Sequence, residues 1–428
     1  MTDQRGRRLR ARWWIAVVSA VALVGVVSGA AAARTAPHAQ ATPGFDGKTI
    51  KVAGLGFAAS FNPDAEVGAQ ARFAKANESN ELNGVKIEFA EFADDKSDAA
   101  TSVNEARRLV EQEGVFAIVP MMSSTAPGTY MNQKQVPYFG WGIDTSYCGP
   151  GDKLYGFGFD GCVLPPNAKA VPDFSAGTTY KYMTETLAIK KPTIATVGYD
   201  SAGGKTSNQS FIAQATGSGL KVVWAKTALP APPAVVGDYS PFVQQILAAN
   251  GGKGPDAVWL PLSFNDVLNM VKALRSANYQ GTIVTALYSD ALLKPLANTI
   301  AVAPIAPFEQ HSAGTDAMVA TIKAYKADAK PSTVMAVGYL SADFFVKAVK
   351  KLGTKNLTRQ ALQKTAARMT YGIPNTVGPT QFPRAFQALN TYCAALVTNA
   401  DGSAWSVAEP YTCTNKFNKV KGTATEVG

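Results

Sequence analysis

The feature of this sequence that most limits its fold is a repeated alternation of strand-like and helix-like segments. Residues 85–92 alternate apolar and polar side chains with a period of two, which predicts a half-buried strand. Residues 98–113 then place apolar side chains at helical spacing. Residues 115–119 are a short apolar run, as expected for a parallel strand covered on both faces. This βαβ rhythm predicts a parallel sheet flanked by helices.

The same alternation begins again at Thr193, followed by a predicted helix over residues 207–218, and continues through further strand-like segments to Thr285. A segment rich in Gly and Pro, residues 149–172, separates the two series. A further pair of helices is predicted near residues 317–329 and 333–352. We therefore predict an α/β fold with two doubly wound parallel sheets. Such sheets bind ligands in a cleft at the carboxyl ends of their strands.

The first 34 residues differ from the rest of the chain in charge and hydropathy. They contain six arginines and a single acid, and an apolar stretch runs from Trp13 to about Ala33. A basic start, an apolar segment and small residues after it predict a secretory signal peptide, with cleavage after Ala33 or Ala41. An uncleaved membrane anchor is the alternative, since about 20 apolar residues span a bilayer. Residues 1–41 are thus expected to be a signal peptide and a disordered start.

Half of the formal net charge of +10 belongs to this N-terminal segment. The remainder contains no long run of Lys or Arg, so the sequence favours neither nucleic acid nor a lipid surface as a partner. No later segment approaches the length of apolar sequence that spans a bilayer. We expect an exported protein, periplasmic or extracellular.

The chain contains four cysteines, Cys148, Cys162, Cys393 and Cys413. An even count in an exported chain predicts disulfides, and three connectivities are possible. We favour the two local pairs, Cys148 with Cys162 and Cys393 with Cys413, each of which would add about 3 kcal/mol of stability. A zinc site is the competing interpretation, but no Cys-x-x-Cys occurs and only two histidines are available. We expect no metal and no cofactor, and no lipid-modified cysteine at the mature start.

Sequence motifs of enzymes are missing. There is no Gly-x-Ser-x-Gly elbow and no His-Glu-x-x-His, and His311 is the only histidine well inside the mature chain. Gly204-Lys205-Thr206 lacks the earlier glycine that a phosphate-binding loop requires, because position 199 is Tyr. We therefore expect no enzymatic activity.

An ordered set of segments carries a resemblance to a known family. The segments are 84–87 with Asp94, Asp95 and Asp98, then 113–120 with 123–125 and 136–137, and finally 372–379 with 399–403. Over roughly residues 48–415 the chain resembles the type I periplasmic binding proteins. The resemblance is to the leucine/isoleucine/valine-binding branch of the substrate-binding proteins of ABC importers.

The resemblance implies two lobes joined by three hinge crossovers. The first lobe would comprise residues 48–168 plus 304–374, and the second residues 169–303 plus 375–428. It implies capture of a small amino-acid-like or carboxylate solute between the lobes by a monomer, followed by delivery to the membrane permease of an ABC importer. A ligand-sensing module of the same fold, which feeds a membrane receptor or kinase, is the alternative.

Hydroxyls and free backbone N–H groups at a helix N-terminus bind anions. Where a predicted strand meets a helix, we therefore expect a solute carboxylate to contact Ser123, Ser124 and Thr125; ordinary N-capping is the alternative. After the next strand, the resemblance implies backbone contacts to the solute from Gly142 and Ile143. Asp144 stands where the family has a hydroxyl, and an acid there would bind a solute ammonium group or repel a second anion; a turn or cap role is equally open for it. Phe61 and Asn62 are expected to form a wall of the first lobe.

In the second lobe, the expected solute contacts each follow a predicted strand. They are Tyr199, Phe264, Tyr288 and Asp290. The resemblance places Asp290 near the acid that holds a solute amine. The Tyr-Gly that the family has after the Tyr199 strand is absent here, so the sequence does not identify the solute. Loop or core roles are the alternative for each of these residues.

Overall fold

The computed structural model describes residues 42–57, 64–123, 127–173, 175–387, 391–421 and 425–428. The first sheet is formed by short segments in the N-terminal part of these residues. Its strands are β1 (Thr49–Gly56), β2 (Lys86–Asp94), β3 (Ala117–Met122), β4 (Tyr138–Gly140) and β5 (Gly156–Gly158). All pair in parallel, in the spatial order β2-β1-β3-β4-β5. Every residue of β3 is buried, as expected for a strand covered on both faces.

The second sheet is mixed and, within the described residues, has seven strands. Its strands are β7 (Thr193–Tyr199), β8 (Lys221–Leu229), β9 (Ala257–Trp259), β10 (Thr282–Thr285), β11 (Thr299–Ala303), β14 (Tyr392–Asn399) and β15 (Ser406–Thr414). The remaining strands form two-stranded pairs, β6 (Ala170–Pro172) with β16 (Phe417–Lys419) and β12 (Thr370–Ile373) with β13 (Val377–Gln381). The spatial order of the sheet is β15-β14-β11-β10-β9-β7-β8. Neighbours from β8 to β11 are parallel, whereas β14 and β15 are antiparallel and form one edge.

Helices connect these strands. Those of the described residues are α1 (Asp64–Glu78), α2 (Ala99–Arg107), α3 (Pro127–Lys134), α4 (Ser175–Lys181), α5 (Ala202–Ser218), α6 (Ser240–Gly252), α7 (Phe264–Ser276), α8 (Ala313–Tyr325), α9 (Thr333–Leu352) and α10 (Arg359–Ala366). Several begin at a side chain that accepts a hydrogen bond from a backbone N–H of the first turn, as N-caps do. These caps are Asp98, Ser201, Ser312, Ser332 and Thr358.

The first sheet has helices on both faces. On one face, α1 and α9 form a core with Val52, Val119 and Phe139, and α9 is buried along most of its length. These two helices approach closely because Gly68 and Gly338 have no side chain. A Cβ on either glycine would lie 2.0 Å from a backbone oxygen of the other helix. On the opposite face, α2 and α3 cover a second apolar cluster.

The second sheet is covered in the same way. On one face, Val243 of α6 and Met270 of α7 belong to the same core cluster as Val197 of β7. On the other face, Phe211 of α5 clusters with Val284 of β10 and with α4. Both sheets are therefore doubly wound, and the α/β fold class predicted from the sequence is confirmed.

Both favoured disulfides are present. Cys148 bonds Cys162 and thereby ties the chain after β4 to the chain after β5. Cys393 bonds Cys413 across the β14–β15 pair. The two bonds use all four cysteines, so the alternative of a cysteine-ligated zinc site is excluded.

Candidate functional site

Parallel strands bring residues that are distant in sequence to one edge of each sheet. At the first sheet, Asp95 follows β2, Ser123 follows β3 and Trp141 follows β4. At the second sheet, Tyr199 ends β7 and Tyr288 follows β10. Because open α/β sheets bind ligands outside the carboxyl ends of their strands, these two edges form the candidate site.

Ser123 and Asp95 converge at the end of β1, the strand that lies between β2 and β3. Both side chains are buried, and Asp95 is 0% exposed. The Asp95 N–H donates to the carbonyl of Gly56 at 3.0 Å, and Asp95 Oδ1 accepts from the Ser97 N–H at 2.8 Å. Burial raises the pKa of the Asp95 carboxyl, while hydrogen bonds from the Ser123 side chain and the Ser97 backbone oppose that shift.

The segment after β4 has a fixed backbone. Gly142 is buried with φ of +105°, and its carbonyl accepts from the Val163 N–H at 3.0 Å. Ile143 is half-buried. Asp144 is buried, and its Oδ1 accepts from the Ser146 N–H at 2.7 Å, which caps a short 3-10 turn. Burial raises the pKa of Asp144. The cap role left open for Asp144 is thus observed, and its contact with a solute stays a prediction.

Replacing Gly142 by alanine should destabilise the protein by about 2–4 kcal/mol. The new Cβ would lie 1.8 Å from the Gly161 carbonyl oxygen, and the positive φ is strained for any residue with a side chain. Relief requires a shift of the backbone that we expect to contact the solute. Urea unfolding followed by tryptophan fluorescence measures the loss.

Gly84→Ala is the matched control for this change. Gly84 also has a positive φ, of +92°, but no atom lies within 4 Å of the Cβ it would gain. Backbone strain alone should cost this variant about 1 kcal/mol. Equal losses at the two positions would contradict the argument, because they would mean that the contact with Gly161 adds nothing.

A carboxyl group that we did not select from the sequence lies beside this segment. Asp160 follows β5, is 8% exposed, and its Oδ2 accepts from the indole N–H of Trp141 at 2.8 Å. Burial raises the pKa of Asp160 to about 8, although the Trp141 hydrogen bond opposes the shift. Burial also raises the pKa of Tyr392 and of Tyr411, and the charge of Asp160 adds to both shifts. The Tyr392 hydroxyl also donates to the Cys162 carbonyl at 2.7 Å, so the segment after β5 that contains Asp160 lies against β14.

Tyr199 is anchored by polar groups at the start of α7. Its hydroxyl donates to the Asp266 carboxylate and accepts from the Ser263 N–H at 2.8 Å. The Tyr239 hydroxyl donates to the same carboxylate, so one acid fixes two tyrosines. Burial, followed by the bond to Asp266, raises the pKa of Tyr199. Phe264 begins α7 and is half-buried beside this cluster.

Tyr288 lies in the protein interior, with 1% of its surface exposed. Its hydroxyl donates to the Glu309 carboxylate and accepts from the Phe308 N–H at 2.8 Å. Its ring packs against Phe308 and Trp405. Of the roles that the sequence left open for Tyr288, this burial supports the core role over a wall of the cleft.

Asp290 is half-buried in the same loop. Burial and the nearby charge of Glu309 raise its pKa, and two lysines on and beyond α8 oppose the shift. The Asp290 N–H donates to the Pro331 carbonyl at 3.1 Å, and the Thr333 N–H donates to the Tyr288 carbonyl at 2.8 Å. This loop of the second sheet thus contacts the start of α9, a helix of the first sheet.

The other expected contacts, Phe61, Asn62, Ser124 and Thr125, lie outside the described residues and stay predictions. The acids of the site, Asp95, Asp160 and Asp266, were not selected from the sequence. For Asp95 a signal existed, because it ends the strand pattern of residues 85–92. Asp160 and Asp266 acquire their partners only through folding.

The sequence matches a known protein family over most of its length. The family is described as periplasmic binding protein, and the match covers residues 49–403. That range includes both sheets except β15, and all the described residues expected to contact the solute. None of the curated proteins compared with this chain matches it.

Solved structures with this fold include transport proteins with different solutes. LivJ, the branched-chain amino acid transporter substrate binding protein from Streptococcus pneumoniae, in complex with isoleucine, has a TM-score of 0.63 and 20% identity, covering 85% of this chain and 100% of that one. A fatty acid ABC transporter substrate-binding protein from Thermomonospora curvata has a TM-score of 0.66 and 16% identity, and the match covers 87% of this chain and 94% of that one. An ABC transporter solute binding protein from R. palustris, in complex with benzoate, has a TM-score of 0.64 and 17% identity, and the match covers 85% of this chain and 97% of that one. At these identities the likeness establishes the fold and not the solute.

No helix in the described part of the chain is long and apolar enough to cross a membrane. The two doubly wound lobes are those of the type I periplasmic binding fold, as the sequence resemblance implied. With the family match extending over residues 49–403, this chain belongs to the periplasmic binding protein family.

Proposed function

We propose that this chain is an exported solute-binding protein that captures a small amino-acid-like or carboxylate solute and delivers it to the permease of an ABC importer. The observation that carries the proposal is the pair of polar clusters at the carboxyl edges of the two sheets. One cluster contains Ser123 and Asp95, and the other contains Tyr199, Tyr239 and Asp266. A site divided between two lobes is suited to a protein that closes around its ligand.

In this proposal the lobes are residues 48–168 plus 304–374, and residues 169–303 plus 375–428. The first lobe holds the solute carboxylate through the hydroxyl of Ser123 and the backbone around Gly142. The second lobe contributes the ring of Tyr199 as a wall and Asp290 as the partner of a solute ammonium group. Hinge closure brings the two halves together, and the closed form is the one that the permease recognises.

The solute class rests on chemistry and on similar proteins. A serine hydroxyl at the carboxyl end of a strand, followed by the start of a helix, is suited to an anionic group. Isoleucine and benzoate, which occupy two of the similar proteins, both carry a carboxylate on an apolar body. A small carboxylate with an apolar portion is therefore the first class to test.

The proposal is tested by thermal unfolding of the mature protein with a panel of amino acids, aliphatic and aromatic carboxylates, and their amides. A solute present at about 100 times its Kd should stabilise the protein by about 2.7 kcal/mol, a rise in Tm of about 3 °C for a chain of this length. Ser123→Ala should reduce the shift produced by the carboxylate that binds. If no small solute raises Tm, the transport function is contradicted.

A further inference from the structure

Asp95 is a buried acid that the proposed binding mechanism does not yet use. Asp95 follows β2 and Ser123 follows β3, so the two residues flank the end of β1, where the Ser123 side chain hydrogen-bonds the Asp95 carboxyl. Asp95 is 0% exposed, and its Oδ2 has no hydrogen-bond partner among the residues that the structure describes. A buried carboxyl oxygen without a partner is costly, so its position beside Ser123 calls for a reason.

The groups around Asp95 favour the protonated form of its carboxyl. Asp94 and Asp98 are the charged groups that act on the carboxyl, and both raise its pKa in addition to the effect of burial. The neighbouring strands contribute Gly56 and Ser123, which carry no charge. Asp95 is thus easier to protonate than an exposed aspartate.

A serine hydroxyl has one proton to donate and two lone pairs that accept. An ionised carboxylate only accepts hydrogen bonds, so ionised Asp95 draws the Ser123 proton toward itself. Ser123 then offers only lone pairs to a solute. A protonated Asp95 can instead donate to the Ser123 oxygen, which leaves the hydroxyl proton for a solute carboxylate.

We propose that Asp95 sets the direction of the Ser123 hydroxyl and thereby selects which polar group of the solute binds at the end of β1. Ionised Asp95 favours a solute N–H donor, and protonated Asp95 favours a carboxylate. The inference rests on the proposed function, in which Ser123 contacts the solute. Asp95 is a positioning residue, since it acts through Ser123.

The first experiment needs no solute. Carboxyl carbon NMR follows the titration of Asp95 in the mature protein and in Ser123→Ala. If the serine donates to the carboxylate, its loss should raise the pKa of Asp95 by about one pH unit. An unchanged pKa of Asp95 would overturn the proposal.

The second experiment compares matched pairs of probes, benzoate with benzamide and isovalerate with isovaleramide. Titration calorimetry is performed below and above the pKa of Asp95 that the first experiment measures, and the ratio of carboxylate affinity to amide affinity should fall about tenfold as pH rises through it. Asp95→Asn should keep the low-pH ratio at both pH values, because its amide N–H donates permanently to Ser123. In a Ser123→Ala background, Asp95→Asn should no longer change the ratio.

Asp98→Asn is the matched control, because Asn caps a helix as well as Asp and the Asp98 carboxylate bonds Thr101 at the start of α2. It should keep a pH-dependent ratio. A probe that binds Asp95→Asn and the unaltered protein with the same pH-dependent ratio overturns the selection role while leaving the proposed function intact. Failure of the whole solute panel overturns the proposed function, and the selection role with it.

Discussion

Replacing Arg72 by methionine should lower the free energy of unfolding by about 3–5 kcal/mol. Arg72 lies on α1, is 5% exposed, and its Nε donates to Asp343 of α9 at 2.8 Å. Its two terminal nitrogens donate to both oxygens of Glu81 at 2.8 and 3.1 Å. Burial opposes the charge of Arg72, but these two partners outweigh it and raise the pKa of the guanidinium. Methionine keeps the apolar stem but removes one of the two cationic partners of the buried Asp343 carboxylate, the other being Lys347 at 2.8 Å, and also the two-pronged bond to Glu81.

Arg108→Met is the control for this change. Arg108 also forms a two-pronged bond to a carboxylate, that of Glu91 at 2.8 Å, but both side chains are partly exposed. Its replacement should cost only about 0–1 kcal/mol, because water can solvate the groups left behind. The double variant Arg72→Met with Asp343→Leu should recover much of the loss, since it also removes the buried Asp343 carboxylate and leaves only Glu81, whose side chain is partly exposed. Equal urea midpoints for Arg72→Met and Arg108→Met would contradict the argument.

The two sheets could be predicted from the sequence because their strands are short and largely buried. Apolar runs such as that of β3 indicate burial on both faces without knowledge of the partner strand. Helix boundaries were less reliable. We expected α5 to begin at Ser207, whereas it begins at Ala202 because Ser201 caps the Gly204 N–H. Two glycines in its first turn, which disfavour helix, concealed that start.

The candidate site could be predicted only in part, because periodicity identifies a buried face and not the partner across a sheet. Ser123 was identified from its place after a strand. Tyr288 follows a strand in the same way, yet its hydroxyl bonds to Glu309, 21 residues away, and its ring is buried. Asp95 was visible as part of an acidic turn, but only the pairing of β1 with β2 and β3 brings it to Ser123.

Between about pH 5 and about pH 7, Asp160 alone should reduce the stability of the protein by about 3 kcal/mol. Its pKa in the folded protein is about 8, against an ordinary value of 3.8. Between those values the folded state retains a proton that the unfolded chain has released, so each rise of one pH unit costs about 1.4 kcal/mol. The stability that Asp160 contributes is fully present below pH 3.8, is lost as pH rises from 3.8 to about 8, and does not change further above about pH 8.

Asp160→Asn isolates this contribution because it cannot ionise and can still accept from the Trp141 indole. The stability of this variant, measured by urea unfolding at several pH values, should fall less steeply than that of the unaltered protein by about 1.4 kcal/mol per pH unit. Asp95 and Asp144 also have raised pKa values, but their contributions are common to both proteins and cancel in the difference.

Asp200→Asn, which replaces an exposed acid paired with Lys205 at 3.2 Å, is the control and should leave the slope unchanged. Trp141→Phe removes the donor that lowers the pKa of Asp160, so the loss of stability should extend to higher pH. Parallel curves for Asp160→Asn and the unaltered protein would show that Asp160 is ionised in the folded state at neutral pH, and would refute the prediction.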